Sequence, residues 1–187
     1  MKPSLFRTAI SLAASLLLAA CASSPSSRYY VLSADTPPAS QVRSTPAPRL
    51  ETIRVAALTD RPQLVFKSGK QTVELREYDR WAEPFDQMVA RVLRQDLEQR
   101  SGMADSDARP ARLFVVIDEF MPSESGTVVL SGHWWTSPAT GATVPSSPRR
   151  FSFDSSYDAG SIEAAVAAMS TLVARLADSI AANGSGN

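Results

Sequence analysis

The sequence predicts a single α+β domain in which two helices pack on one face of a mainly antiparallel sheet. Short runs rich in aromatic and β-branched residues alternate with turn residues, two longer stretches carry apolar residues at helical spacing, and their order is strands, helix, strands, helix. The length of 187 residues fits one domain, and 44% hydrophobic with 20% charged residues is an ordinary globular composition. No internal repeat is evident.

The chain opens with Lys2 and Arg7, followed by uncharged residues 9–20, which read as a secretory signal peptide over 1–20. A spanning helix needs about 20 apolar residues to cross a ~30 Å hydrocarbon core, so this run is too short to be one. Leu18-Ala19-Ala20-Cys21 resembles a bacterial lipobox, in which a peptidase cuts before a diacylated cysteine. Cys21 is thus the predicted lipidation site, carrying palmitate-type acyl chains, and 21–28 is a lipidated N-terminus with a short tether. This accounts for the chain's single cysteine, because a thioether-linked sulfur is inert in an oxidising compartment. Acyl chains contribute about 0.8 kcal/mol per buried CH₂, so the expectation is a protein anchored to a membrane without spanning it. Ala22 is not the aspartate that commonly retains lipoproteins at the inner membrane, which points to the outer membrane, facing the periplasm. Fully extended, residues 22–28 reach at most about 25 Å, so the folded part sits close to the membrane.

The domain is expected over 29–182, with 183–187 as a flexible tail. Residues 28–33 have the content of a strand, and Pro37, Pro38, Pro46 and Pro48 then mark a surface linker. A strand over 52–58 places Ile53, Val55 and Ala57 on one face; 64–66 and 72–75 flank Ser68-Gly69 as a hairpin. The first helix starts around Pro84, with Phe85, Met88, Val89, Val92, Leu93 and Leu97 on one face, Arg91, Arg94, Gln95 and Glu98 on the other, and Gly102 beyond its end. Residues 113–120 are apolar on both faces and read as a buried central strand. Two more strands follow at 127–136 and 150–156. The second helix is capped by Ser161, has Glu163 in its first turn, and repeats Ile162, Val166, Met169, Val173, Leu176 and Ile180 at 4-3 spacing up to Asn183-Gly184. That stripe suits a helix laid on a sheet.

Few residues carry chemistry. With Lys+Arg 19 against Asp+Glu 19 the chain is neutral, and loss of the signal leaves it at net −2, so neither nucleic acid nor anionic lipid is sought by charge alone. One histidine and one cysteine rule out a Cys/His zinc site, no aspartate-rich calcium loop is present, and no Gly-x-Ser-x-Gly elbow presents a nucleophile to His133. Asp105, Asp107, Asp118 and Glu119 read as solvated charges. Gly69-Lys70 lacks the earlier glycine and following Ser or Thr of a phosphate loop. No catalytic residue, metal or cofactor is therefore assigned. Trp134-Trp135 is more suggestive: adjacent strand residues face opposite ways, so either a helix layer covers one ring and a loop the other, or the pair is a candidate exposed aromatic site that offers one ring to a partner.

Asp60-Arg61-Pro62-Gln63-Leu64-Val65-Phe66 and Tyr78-Asp79-Arg80-Trp81-Ala82-Glu83-Pro84-Phe85, with Tyr29-Tyr30-Val31-Leu32 after the lipobox, give the chain its resemblance to the ABC-type transport auxiliary lipoproteins, the family of paraquat-inducible protein C. Phe85 and Phe66 stand where leucine and tyrosine are common. The resemblance implies an outer-membrane lipoprotein serving an envelope lipid-transport system, with a mammalian-cell-entry (MCE) domain protein and, indirectly, an ABC permease and ATPase as partners; a homo-oligomer is a further option. It carries no catalytic residues. Arg61, Pro62, Arg80, Trp81, Glu83 and Pro84 are the candidate motif, either architectural, with Trp81 plugging the sheet-helix junction, Glu83 favouring the positive helix end and Pro84 fixing the helix start, or part of a docking surface. A direct lipid carrier, with an acyl chain in a groove between helices and sheet, is the alternative, and a periplasmic enzyme a remoter one.

Overall fold

The computed structural model describes residues 25–36, 47–101, 110–139 and 147–183. The expected signal peptide, Cys21, most of the proline linker, Gly102, Asp105, Asp107 and Gly184 lie outside them. Seven strands and two helices follow in the order β1 (Arg28–Tyr30), β2 (Arg49–Val55), β3 (Gln63–Lys67), β4 (Val73–Trp81), α1 (Phe85–Arg100), β5 (Arg112–Ser123), β6 (Thr127–Ser137), β7 (Arg149–Ser156) and α2 (Ile162–Asn183). The strands form one open sheet in the order β1-β4-β3-β5-β6-β7, with β2 paired to β5 off this path. The α+β class and the two-helix count are those the sequence predicts.

The β3–β4, β5–β6 and β6–β7 ladders are antiparallel, whereas β1–β4, β2–β5 and the single β3–β5 pair are parallel. β5 organises the sheet. β6 runs along one edge from Arg112 to Ser123, so β2, paired over 112–117, and β3, paired at Ser123, share the other edge. A bulge at Asp118 divides these halves: Ile117 faces Gly132, and the next pair is Glu119 with Ser131. The extra residue changes parity, which lets Leu113, Val115 and Ile117 before it and Phe120 after it all point into the core. At Ser123-Glu124-Ser125-Gly126 the β5–β6 loop closes with the Gly126 amide bonded to the Ser123 carbonyl at 2.9 Å. Gly126 adopts φ +82°, the left-handed position that three-residue hairpins require.

All six apolar residues of the first predicted helix are buried, and Arg91, Arg94, Gln95 and Glu98 are exposed. Pro84 stands just outside α1, at φ −52° and ψ 132°, and its carbonyl accepts the first helical bond, from the Met88 amide at 3.0 Å. Glu83 differs from expectation: it precedes the cap and pairs with Arg91, while Asp86 supplies the first-turn acid. In α2 the Ser161 hydroxyl accepts from the Ala164 amide at 3.1 Å, the predicted cap. Its stripe is wider than 4-3 spacing, because Leu172, Ala165, Ala168 and Ala177 are also buried. α2 lies across β5, β6 and β7, and α1 lies against α2 and β2. By length and composition α2 could cross a membrane, yet 61% of its most apolar window is buried within the fold, as a core helix.

Several strand bounds differ from expectation: β1 ends at Tyr30 instead of at 33, and β5 runs on to Ser123 instead of ending at 120. The β2 strand begins at Arg49 and ends at Val55, so Ala57 is an exposed turn residue instead of a strand residue. The β4 strand continues through Trp81, six residues beyond the predicted 72–75, because β1 and the start of β3 pair with 79–81.

Two stability predictions follow from this geometry. A Cβ at Gly132 would lie 2.1 Å from the Val116 carbonyl oxygen and 3.0 Å from the Phe151 ring, so Gly132→Ala should cost about 2 kcal/mol or more in urea unfolding. An unchanged midpoint would refute the close approach at the bulge. Ser161→Ala should cost about 1 kcal/mol in the same measurement.

Candidate functional site

The two motif segments meet at the corner where β4 leaves the sheet. The Trp81 amide donates to the Pro62 carbonyl at 2.8 Å, and the Ala82 amide to the Tyr30 carbonyl at 3.0 Å, so 62, 81 and 30 are held side by side. Trp81 is 6% exposed and stacks on Phe85 at 4.9 Å between centroids; Phe85 in turn meets Phe120 at 5.6 Å. This places Trp81 in the core as a junction plug. Arg61 and Pro62 are exposed and Arg80 is half-buried; among the described residues no carboxylate pairs with either arginine.

Beside this corner β1 forms one edge of the sheet. Its core face carries a polar cluster that the sequence reading missed. Arg28 Nε donates to Asp79 Oδ1 at 2.8 Å, the Tyr30 hydroxyl donates to the same oxygen at 3.1 Å, and Glu163 at the start of α2 lies 3.5 Å from that hydroxyl. Burial, followed by the bond to Asp79, pushes the Tyr30 phenol up to about 12, so it stays a neutral donor. The available signal was Asp79, an acid flanked by strand residues and two positions before a buried tryptophan.

Past β1 the chain crosses toward α2, where the Ser33 amide donates to Ser170 Oγ at 3.2 Å. Between this segment and α2 runs an open groove of about 540 Å³, lined by Tyr29, Val31, Asp35, Glu163, Val166 and Ser170 among others. Tyr30 has its carbonyl turned to β4, so the amides and carbonyls of Tyr29 and Val31 point away from the sheet, toward the free edge.

A second polar cluster joins three elements below the groove. Asp96 is fully buried on α1 and accepts the Asp35 amide at 2.9 Å. Arg100, 1% exposed, donates to the Asp96 carbonyl at 3.1 Å and pairs with Asp178 of α2. Asp96 Oδ2 has no hydrogen-bond partner among the described residues. Burial pushes its carboxyl up to about 6, against the opposing pull of the Asp35 amide and Arg100. These charges were visible in the sequence as interruptions of the apolar stripe, Asp96 seven residues after Val89 and Arg100 four after Asp96.

On the helix-free face of the sheet lie Phe114, Val116, His133 and Trp135, all half-buried, with Phe114 stacked on Trp135 at 5.4 Å and His133 at 6.0 Å from Trp135. Trp134 departs from the expected exposure: it is 2% exposed, facing the helices with the Arg149 guanidinium 5.6 Å from its ring, because β7 and α2 cover its side of β6. Trp135 is therefore the half-exposed ring of the pair. His133 lies 3.6 Å from Asp118, too far for a hydrogen bond, and among the described residues no hydroxyl is bonded to its ring. Among those residues no three His, Cys, Asp or Glu side chains are grouped to hold a metal ion.

A family model described as "ABC-type transport auxiliary lipoprotein component" matches residues 30–181. Among solved structures, the fold is similar to the crystal structure of an uncharacterized protein, at 18% identity and TM-score 0.67, covering 86% of this chain and 100% of that one. It is also similar to a Xanthomonas campestris protein of the DUF330 family, at 11% identity and TM-score 0.61, covering 81% of this chain and 91% of that one. At these identities the likeness concerns the fold. No curated protein matches the chain.

Truncating the plug tests the corner: Trp81→Ala should cost about 3–5 kcal/mol in urea unfolding, whereas a purely surface-docking tryptophan would leave the midpoint unmoved. The buried aspartate gives a pH signature. Its folded pKa is raised, so its stabilising contribution is full below about 4 and is lost as pH rises through about 6. The stability of Asp96→Asn relative to wild type should therefore fall as pH is lowered from 6 to 4; a pH-independent difference would contradict the burial effect.

Proposed function

Because this chain belongs to the family of ABC-type transport auxiliary lipoprotein components, we propose that it is an outer-membrane lipoprotein that docks an MCE-type lipid-transport assembly to that membrane. The family is one of transport components, not of enzymes. The observation that carries the reading is the family match over 30–181 together with the lipobox ending at Cys21. In this proposal 1–20 is removed, Cys21 carries the acyl chains, the domain of 29–182 faces the periplasm, and energy and the lipid conduit belong to an MCE-domain protein and its ABC permease and ATPase. The chain itself performs no reaction.

Docking is favoured over lipid carriage by the packing. Met88, Val89, Val92, Leu93, Leu172, Val173 and Leu176 are fully buried, so side chains occupy the space between helices and sheet where a carrier would seat an acyl chain. The groove that is open, beside β1, has the carboxylates of Asp35 and Glu163 on its walls, so it is not a closed apolar seat for an acyl chain. The half-exposed Phe114-Trp135 face is a second surface of the kind partners use.

The test is membrane fractionation of cells carrying wild type or Cys21→Ser, following both this protein and its MCE-domain partner. Wild type is expected in the outer-membrane fraction, its N-terminal peptide heavier by the acyl chains, with part of the MCE-domain protein alongside. Cys21→Ser should be released and the partner's share should fall. Wild type found unmodified and free in the periplasm would overturn the proposal.

A further inference from the structure

Among the described residues five large apolar side chains stand out as exposed, and three of them, Tyr29 at 65%, Val31 at 51% and Tyr78 at 46%, gather at the β1 end of the sheet. Tyr29 is the register partner of Arg80, and Tyr78 lies on the β4 face opposite the buried Asp79 and Trp81, so the two rings share the helix-free face. Arg80 lies between them in sequence register. Gln63 pairs with Arg80, which sets exposed Arg61 and Pro62, just before β3, along the same corner.

We infer that this face, Tyr29, Val31 and Tyr78 flanked by Arg61 and Arg80, is a membrane-contact surface that rests in the lipid headgroup layer. The inference builds on the proposed lipid anchor at Cys21 and goes beyond it, since an anchor alone leaves the domain free to turn. Three observations converge on a bilayer as the occupant. The first is the tether: Arg28 begins β1 only seven residues after Cys21, a reach of at most about 25 Å, so the surface at which the chain enters the fold is the surface the anchor holds to the membrane. The second is composition, because tyrosine rings with an apolar body and polar tip prefer the headgroup level, and an aliphatic valine beside them adds burial. The third is charge. Among the described residues Arg61 and Arg80 have no carboxylate partner, which leaves both guanidinium groups for lipid phosphate even though the whole chain is not basic. A surface of this size binds weakly alone, but the tether raises its effective concentration at the membrane, and weak contact then suffices to fix orientation. It would hold the far edge, β7, away from the bilayer, toward partners.

The test uses the lipidated full chain in vesicles of phosphatidylethanolamine and phosphatidylglycerol. The thioether leaves Cys21 unavailable, so a nitroxide can be placed selectively through Tyr29→Cys, Val31→Cys, Tyr78→Cys or, as a control on β7, Ser152→Cys. The expected result is that labels at 29, 31 and 78 lose collision broadening by a water-soluble nickel chelate and gain it from oxygen, while the label at 152 stays open to nickel. Vesicles that float with the protein but leave all four labels equally open to nickel would overturn the inference and spare the anchor. Protein that fails to float would overturn the anchor and the inference with it. Protection that persists in the unlipidated Cys21→Ser background without vesicles would assign the face to protein contact and overturn the membrane reading.

Discussion

The aromatic column Trp81–Phe85–Phe120 is the contact on which the rest of the arrangement depends. It joins the adjoining end of β4 and start of α1 to the post-bulge half of β5, which is distant in the chain. With Trp81 fixed, its amide holds Pro62, the next amide holds Tyr30, and the edge strand β1 is laid against β4. Without it the short β1, three residues long, would have few other means of staying on the sheet. The groove, the exposed tyrosines and the place where the N-terminal tether meets the fold are all consequences of that corner.

Polar contacts then set how the N-terminal segment runs. Asp79 collects Arg28 and Tyr30 at one end, and Asp96 collects the Asp35 amide at the other, with Arg100 tying the same site to Asp178 on α2. Buried charges of this kind are weak sources of stability, since desolvation offsets the attraction, but removing one partner is expensive. Their effect is to specify a path: 28–35 is drawn across the open edge between the sheet and α2, with a groove beside it.

Much of this was legible in the sequence. Both helices announce themselves through apolar spacing, and the strand-to-helix corner could be placed at 80–84 because a proline follows a tryptophan and an acid there. What spacing does not encode is pairing between distant segments. The parallel pairing of β2 with β5, the extension of β4 to Trp81 and the bulge at Asp118 are decided by which strands are neighbours, and local patterns are silent on that. Alternation told that Trp134 and Trp135 face opposite ways, but which is covered depends on β7 and α2. The exposed Tyr29 and Val31 looked like ordinary strand residues because edge and centre read alike in sequence. Conversely, Asp96 and Arg100 interrupt the apolar stripe in plain view, but spacing alone does not say that Asp35 and Asp178 meet them there.

In the proposed function, the lipid-anchored domain stands between the outer membrane and a transport partner. This central claim is tested most directly by crosslinking in intact cells, followed by purification of the lipidated protein and identification of what is bound. The account predicts enrichment of an MCE-domain protein over the Cys21→Ser control. Recovery of the chain alone, or with cell-wall components only, would contradict it.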